Sequence, residues 1–401
     1  MLLREIKVNT KQERTYQITT IHEESEVYDI ACDRIQRGEC GVVFVNTVKR
    51  CLEVYETLKK RLGKKNVHLA HSRFTVLDRN RIEKNALFLF GKNSTNKERA
   101  GQIMICTQVF QESINLDFDF GILDLAYIDS LFQRMGRVWR YKRNGRGEVD
   151  DLLKIDTRGA KIPIYVFGPV PVKDPGDNWY SSVMGTAKFI YPDTQKTWDT
   201  MNVLKRQTDW KFPQDARELL ESVFRDHKIS WKSLEESDIK MLGAKLADRG
   251  IAKRNALTFD TTYMSSGTLW DTDETAVTRL GYPTTTIRLA LFENNEIVSF
   301  ENRAKPPEFN EISYSLRDAC GEFLLSSAIE KTFQNAIENK KCNFVRDFNW
   351  LTYLILKEIR TGIWQGYTKN QVKDSNYTRF YYTREYGLLK EKTVNDLNLD
   401  L

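Results

Sequence analysis

The 401-residue chain has no CxxC pair, and its six cysteines stand apart at positions 32, 40, 51, 106, 320 and 342. That dispersion excludes a zinc ribbon and fits a reducing, cytoplasmic compartment. Histidine is equally scarce. His22, His68, His71 and His227 are too few and too far apart for a histidine-rich nuclease centre, so no metal site is expected from these residues. The apolar runs (GVVFV, ALFLF, IPIYVFG) are short and the start lacks a signal-peptide pattern, which predicts no membrane partner. A GxxxxGK[ST] phosphate loop is also missing. Its nearest approach, GKNS at 91–94, has Ala86 where the first glycine would stand and Asn93 after Lys92. The one Asp-Glu step, Asp273-Glu274, lies in a polar stretch rather than at the end of an apolar strand. Charge of one sign is not in large excess: the net value of +6 permits polyanion binding without requiring it.

What the chain does contain is an alternation. Short continuous apolar runs at 41–46, 67–71, 102–107, 120–126 and 162–168 read as buried strands. Between them lie stretches with helical spacing, such as Leu52, Tyr55, Leu58 and Leu62. This pattern predicts an α/β domain with a doubly wound parallel sheet over about 21–170, whose ligands bind outside the carboxyl ends of the strands. A Pro/Gly loop, GPVPVKDPGDNW, then leads into helical segments over 171–262, read as a linker. Residues 263–401 carry short strand-like pieces rich in Thr, Tyr and Phe, read as a smaller mixed α+β domain.

Two stretches carry chemistry. In LFQRMGRVWRY (131–141), helical spacing would put Gln133, Arg137 and Arg140 on one polar stripe. Leu131, Met135 and Val138 would form the stripe facing a core. In QIMICTQVFQESINLDFDFGILD (102–124), a buried strand ends at Thr107-Gln108, where a hydroxyl and an amide can meet a phosphate oxygen.

Taken together, the strand, TQ, acidic loop, strand and QRxGRxxR resemble motifs V and VI of superfamily 2 helicases. The wording TQVFQESINLDFD…LFQRMGRVWR resembles the CRISPR-associated helicase-nuclease of type I systems. VVFVNTVKRCLEVYETLK is similar to motif IV, VHLAHSRFTVLDR to that family's HSRF segment, and YYTREYGL to its C-terminal ending. The resemblance implies a second RecA-like domain over 21–170, with 1–20 closing the first such domain. On the family's pattern Arg137 and Arg140 are arginine fingers for the γ-phosphate of ATP, with Gln133 beside them. Arg134, Asn115 and Asp117 are implied on the nucleotide side. Thr107, Gln108, Asn46, Thr47, Ser72 and Arg73 are implied at the DNA backbone, since hydroxyls, amides and cations bind phosphate without reading bases. Gln111 and Asn115 depart from the pattern, standing where the family carries acids. The aromatic residues Trp350, Trp364, Tyr377, Tyr381 and Tyr382 are candidates either for base stacking or for packing.

The family's phosphate loop, Mg²⁺ ligands and nuclease domain have no counterpart in this sequence. ATP and Mg²⁺ are therefore expected to be shared with another polypeptide carrying the first RecA-like domain and the nuclease, the chain being either a fragment or a split subunit. Implied partners are single-stranded DNA and a guide-RNA surveillance complex. The competing expectation is a non-catalytic DNA- or protein-binding assembly module derived from half a helicase.

Overall fold

The computed structural model describes residues 13–224 except 110–113 and 154, then 231–234, isolated positions between 239 and 247, 284–301 except 294–295, 310–315, 352–369, 377–399 and 401. Most of DIKMLGAKLADRG, together with Gln111, Asp273-Glu274 and Trp350, lies outside the described residues.

The first sheet holds β1 (Arg14–Ile21), β2 (Gly41–Phe44), β3 (Val67–Ala70), β4 (Ile103–Cys106), β5 (Phe120–Asp124), β6 (Ile162–Phe167) and β7 (Asp209–Phe212). Their order is β3-β4-β2-β5-β6-β1-β7, with β7 antiparallel and every other neighbouring pair parallel. The sheet thus reaches past the 21–170 span read from sequence: Arg14–Ile21 pairs along β6, and Asp209–Phe212 closes the edge. β2, β4 and β5 are buried at every position, the reason they read as unbroken apolar runs rather than as alternation.

The crossovers are helical: α1 (Glu24–Gln36), α2 (Val48–Leu62), α3 (Val76–Phe90), the short α4 (Asn96–Arg99) and α5 (Ile128–Met135). Right-handed crossing puts α1 and α2 on one face and α3 and α5 on the other, and α1 and α2 do pack together. Threonines start three of these helices, the short α4 through Thr95. The Thr47 hydroxyl accepts from the Arg50 amide and Thr75 from the Asp78 amide, satisfying donors that the first turn leaves open. Beyond β6 come α6 (Trp179–Met184), α7 (Thr194–Arg206) and α8 (Ala216–Phe224), with α8 packed on both α5 and α7.

The second sheet comprises β8 (Thr284–Glu293), β9 (Glu296–Ser299), β10 (Glu311–Ser315), β11 (Thr352–Arg360), β12 (Ile363–Lys369), β13 (Tyr377–Thr383) and β14 (Gly387–Lys390). It runs β10-β8-β11-β12-β13-β14, with β9 also paired to β8 and only β8/β11 parallel. A helix, α9 (Glu391–Asp396), follows β14. Successive side chains of a strand point to opposite faces, and β14 uses both. Leu388 enters the core of the second sheet, whereas Leu389 joins the core of the first, as do Tyr386, Val394 and Leu399.

The tightest point of the first core is Gly41, which pairs with Phe120 across β2 and β5. A Cβ there would lie 2.2 Å from the Phe120 ring, itself fully buried under the Arg34 guanidinium. Gly41→Ala is expected to destabilise the protein by about 1–3 kcal/mol, the usual cost of overpacking. The shift of the urea midpoint measures it.

Candidate functional site

The site begins from a carboxylate that cannot be left alone. Asp117 is fully buried between Leu116 and Phe118, and an ionised carboxylate there is unstable unless paired. Three guanidiniums meet it: Arg99 and Arg158 each at 3.3 Å, and Arg143, which also bonds to its Oδ2. Asp119 takes Arg99 at 2.8 Å and Arg158 at 3.1 Å, while Asp156 takes Arg158 at 2.8 Å. Three arginines therefore face three carboxylates. Arg143 spends its remaining donors on the carbonyls of Gly91, Ser94 and Gly147. GKNS is thus the turn that ends α3, held through its carbonyls. The Arg99 guanidinium also donates to the Cys40 sulfur at 2.9 Å, and burial pushes that thiol up to about 12.

This network sits where β2, β4 and β5 begin, and the arginine segment is laid over it. The single long stripe expected for 131–140 does not form. α5 stops at Met135, with Gly136 as its cap. The Phe118 amide then donates to the Arg137 carbonyl at 3.0 Å, and the Trp139 amide donates to the Phe118 carbonyl at 2.9 Å. Val138 is consequently bridged in parallel to Phe118 instead of continuing the helix. Trp139 takes φ +48, a costly conformation for a large side chain. It is compensated by an indole bond to the Asp119 carbonyl at 2.7 Å and by the Arg158 guanidinium 4.9 Å from the ring centroid. Arg137 is 8% exposed and Arg140 half-buried, while Gln133 stays exposed on α5. Burial and the like charge of Arg140 together lower the Arg137 pKa, with Tyr141 acting in the opposite direction. The Arg14 side chain donates to the Arg140 carbonyl at 2.8 Å, so β1 also fixes the segment. Arg14, Trp139, Arg140, Lys142 and Asp156 are among the residues lining a cleft of about 300 Å³ beside it.

Several predicted site residues have other work. Asp117, expected on the nucleotide side, is committed to three guanidiniums; Asn115 is exposed. Arg134, also expected there, is fully buried. It donates to the Asp124 carbonyl at 3.1 Å, Asn46 Oδ1 at 2.9 Å and the Tyr191 hydroxyl at 3.1 Å. Asn46, expected at DNA, is 1% exposed and donates to the Leu125 carbonyl at 2.8 Å and the Tyr180 hydroxyl at 3.1 Å. Asn46 and Arg134 therefore pin the ends of β2 and β5 to the segment carrying α6 rather than facing a ligand. The Thr47 hydroxyl is engaged as the α2 cap.

Thr107, Gln108, Thr47, Ser72 and Arg73 do come together at the carboxyl ends of the adjacent strands β2, β3 and β4. The Thr107 amide donates to the Ala70 carbonyl at 3.2 Å, beside His71. Thr107 is buried, and Gln108, Thr47, Ser72 and Arg73 are half-buried. His71 is packed, stacking on Phe74 at 4.5 Å. The structure does not unite this group with Arg137 and Arg140. α5 leaves the carboxyl end of β5 and runs back to its amino end, so the two groups are separated by the strand length, roughly 15–20 Å. Among the C-terminal aromatics, Tyr382 is fully buried and Trp364 packs against the same core, which makes these two packing residues. Tyr381 is half-buried, and the side chain of Tyr377 lies outside the described residues.

Arg99, Arg143, Arg158 and Tyr180 are the organising residues that sequence reasoning missed. Most of their partners are remote, from 18 residues away for Arg99 and Asp117 to 134 for Tyr180 and Asn46. The one available signal was an aspartate set between Leu116 and Phe118 in an apolar stretch, which implies buried cations somewhere in the chain.

Residues 37–143 match the family model for "CRISPR-associated nuclease/helicase Cas3, C-terminal". The chain is 34% identical over 140 residues to the CRISPR-associated nuclease/helicase Cas3 of Streptococcus thermophilus, covering 35% of this chain and 15% of that protein. It is 28% identical over 220 residues to the CRISPR-associated endonuclease/helicase Cas3 of Escherichia coli K12, covering 54% of this chain and 22% of that protein. The fold matches a crystal structure of T. fusca Cas3-ADP with a TM-score of 0.70 at 19% identity, over 96% of this chain and 44% of that one. The chain thus spans less than a quarter of the length of these curated relatives and resembles the C-terminal helicase region of Cas3 proteins.

Asp117→Asn is expected to cost about 3–5 kcal/mol, because it leaves buried guanidiniums uncompensated. Burial alone would raise the Asp117 pKa, but Arg158, Arg99 and Arg143 outweigh it and hold the carboxyl below its usual value. A depressed carboxyl contributes fully above the unfolded-state value of about 3.9 and loses that contribution as the pH falls through its folded-state value. Urea midpoints of the wild type and the variant should therefore differ by a constant amount between pH 5 and 8 and converge in acid below about pH 4.

Proposed function

We propose that this Cas3-like helicase region is the C-terminal part of an ATP-dependent single-stranded DNA translocase acting in CRISPR interference. The observation carrying this reading is the Arg137–Arg140 pair, two guanidiniums held close in a partly desolvated segment by a rigid buried network. An anion placed between them relieves both the burial cost and the mutual repulsion, so a polyphosphate suits the residues present. A planar guanidinium binds phosphate oxygens in bidentate fashion and stabilises charge as phosphoryl transfer proceeds. In this proposal Arg137 and Arg140 serve the γ-phosphate of ATP, while Gln133 stays exposed on α5, before the helix stops at Met135.

The chemistry that ATP supplies is a transferable phosphoryl group. Mg²⁺ ligands do not fit this chain's half of the site, because Asp117 is committed to three guanidiniums and Asn115 is neutral. The metal carboxylates therefore belong with the phosphate loop, on a partner RecA-like domain. Thr107, Gln108, Thr47, Ser72 and Arg73, gathered at the opposite end of the sheet, are proposed to hold the DNA backbone. The guide-RNA surveillance complex is the proposed source of the displaced strand. The absence of GxxxxGK[ST] from the sequence also favours a second reading, a docking module without turnover.

In the enzyme assembled with its phosphate-loop domain, Arg137→Ala is expected to lower DNA-stimulated ATP hydrolysis by about 10³-fold or more. Affinity for oligodeoxythymidylate should stay within about twofold, because a residue at the amino end of the sheet does not touch DNA. Arg137→Lys, which keeps the charge and loses the fork, should fail similarly while melting at the wild-type temperature. Unchanged turnover in both variants would reject the assignment, and no turnover in any assembly would leave the docking module as the reading.

A further inference from the structure

The turn Ser72–Arg73 lies two residues before Thr75, the cap of α3, and it is met by backbone from more than 300 residues downstream. The Leu388 amide donates to the Arg73 carbonyl at 2.9 Å. The Thr75 amide donates to the Tyr382 hydroxyl oxygen at 3.2 Å, and that hydroxyl donates in turn to Asp78 Oδ2 at 2.6 Å. Gly387, at φ +69, lets the two backbones approach this closely. A Cβ there would lie 2.6 Å from the Arg73 carbonyl oxygen and 3.2 Å from His71 Cε1. On its other side the turn rests on His71, whose Nδ1 accepts from the Arg73 amide at 3.2 Å.

The β13–β14 hairpin that makes these contacts is itself anchored elsewhere, on α2. Glu385 pairs with Lys59 at 3.1 Å and Lys64 at 2.5 Å and accepts from the Tyr55 hydroxyl at 3.1 Å. The Tyr386 hydroxyl donates to Glu56 at 2.7 Å, and its ring meets Tyr55 edge-on at 6.0 Å. The hairpin is thus fixed to one part of the first domain and holds another. A phosphate-contacting turn gains from such an external reference, since half-ångström errors in placing a hydroxyl or a guanidinium weaken its bonds.

We infer that the β13–β14 hairpin sets the position of the Ser72–Arg73 turn for DNA-backbone contact, with Tyr382 and Gly387 as positioning residues; this rests on the DNA role proposed above for that turn. The C-terminal sheet thereby acts on DNA affinity through the first domain, without these two residues touching DNA themselves.

The test uses the full chain, amide hydrogen exchange and a labelled oligodeoxythymidylate. Tyr382→Phe keeps the buried ring and removes the hydroxyl. It is expected to speed exchange over 72–76 by about five- to tenfold, the consequence of losing the hydroxyl's bonds to the Thr75 amide and to Asp78, while leaving β2 and β4 protected. DNA affinity should fall several-fold, and the salt slope should shrink by about 0.7 for each phosphate that the turn no longer neutralises. In an Arg73→Ala background Tyr382→Phe should add nothing, since both act through one turn. Gly387→Ala, which pushes on the same carbonyl, should reproduce the affinity and exchange changes. Unchanged exchange over 72–76, or additive losses in the double variant, overturns the role of the hairpin. Wild-type affinity and salt slope in Arg73→Ala overturn the DNA role of the turn itself, and with it that part of the proposed function, whatever exchange reports.

Discussion

Everything at the amino end of the first sheet depends on keeping one carboxylate charged where there is no water. Asp117 is fully buried and ionised because Arg99, Arg143 and Arg158 surround it. Those arginines come from the approach to β4, the stretch after α5 and the stretch before β6. One buried charge therefore gathers three separate pieces of chain into a fixed arrangement. Such networks add little net stability over an apolar core of the same volume, but they tolerate few alternative arrangements. The Arg137–Arg140 segment inherits its geometry from this. Its backbone bonds to Phe118, one residue after Asp117, and its Trp139 ring lies under Arg158.

The two ends of the sheet divide the candidate chemistry. Hydroxyls and amides collect where β2, β3 and β4 finish, and guanidiniums collect where β2, β4 and β5 start. Between them stand strands buried at every position. α5 is the covalent link between the ends, and Arg134 ties its final turn to Asn46 at the finish of β2. Asn46 and Arg134, assigned from sequence to ligand contact, are instead braces between these strands and the segment carrying α6.

The parallel sheet is legible in the sequence because its signal is local: four or five consecutive apolar residues, repeated with helical spacing between. The placement of Thr107 at the end of β4 is legible for the same reason, since parallel neighbours finish on one edge of the sheet. The helical stripe through Arg140 misleads because periodicity carries no information about Gly136 as a stop or about the pull of Phe118 on the backbone. Asn46, Arg134 and Asp117 pass for ligand contacts because polar residues near a motif look alike in sequence whether they face solvent or one another. Only long-range pairing separates the two cases, and a single sequence does not display it.

Leu389, Tyr386, Val394 and Leu399 belong to the core of the first sheet, although nearly all of the second sheet lies between them and the rest of that core along the chain. The first domain is therefore discontinuous in sequence, and the second is an insertion within it. During synthesis the first sheet can form early, but its core stays open over α2 until residues 386–399 emerge. Closing that gap is a contact of very high sequence separation, the kind that folds late and slowly.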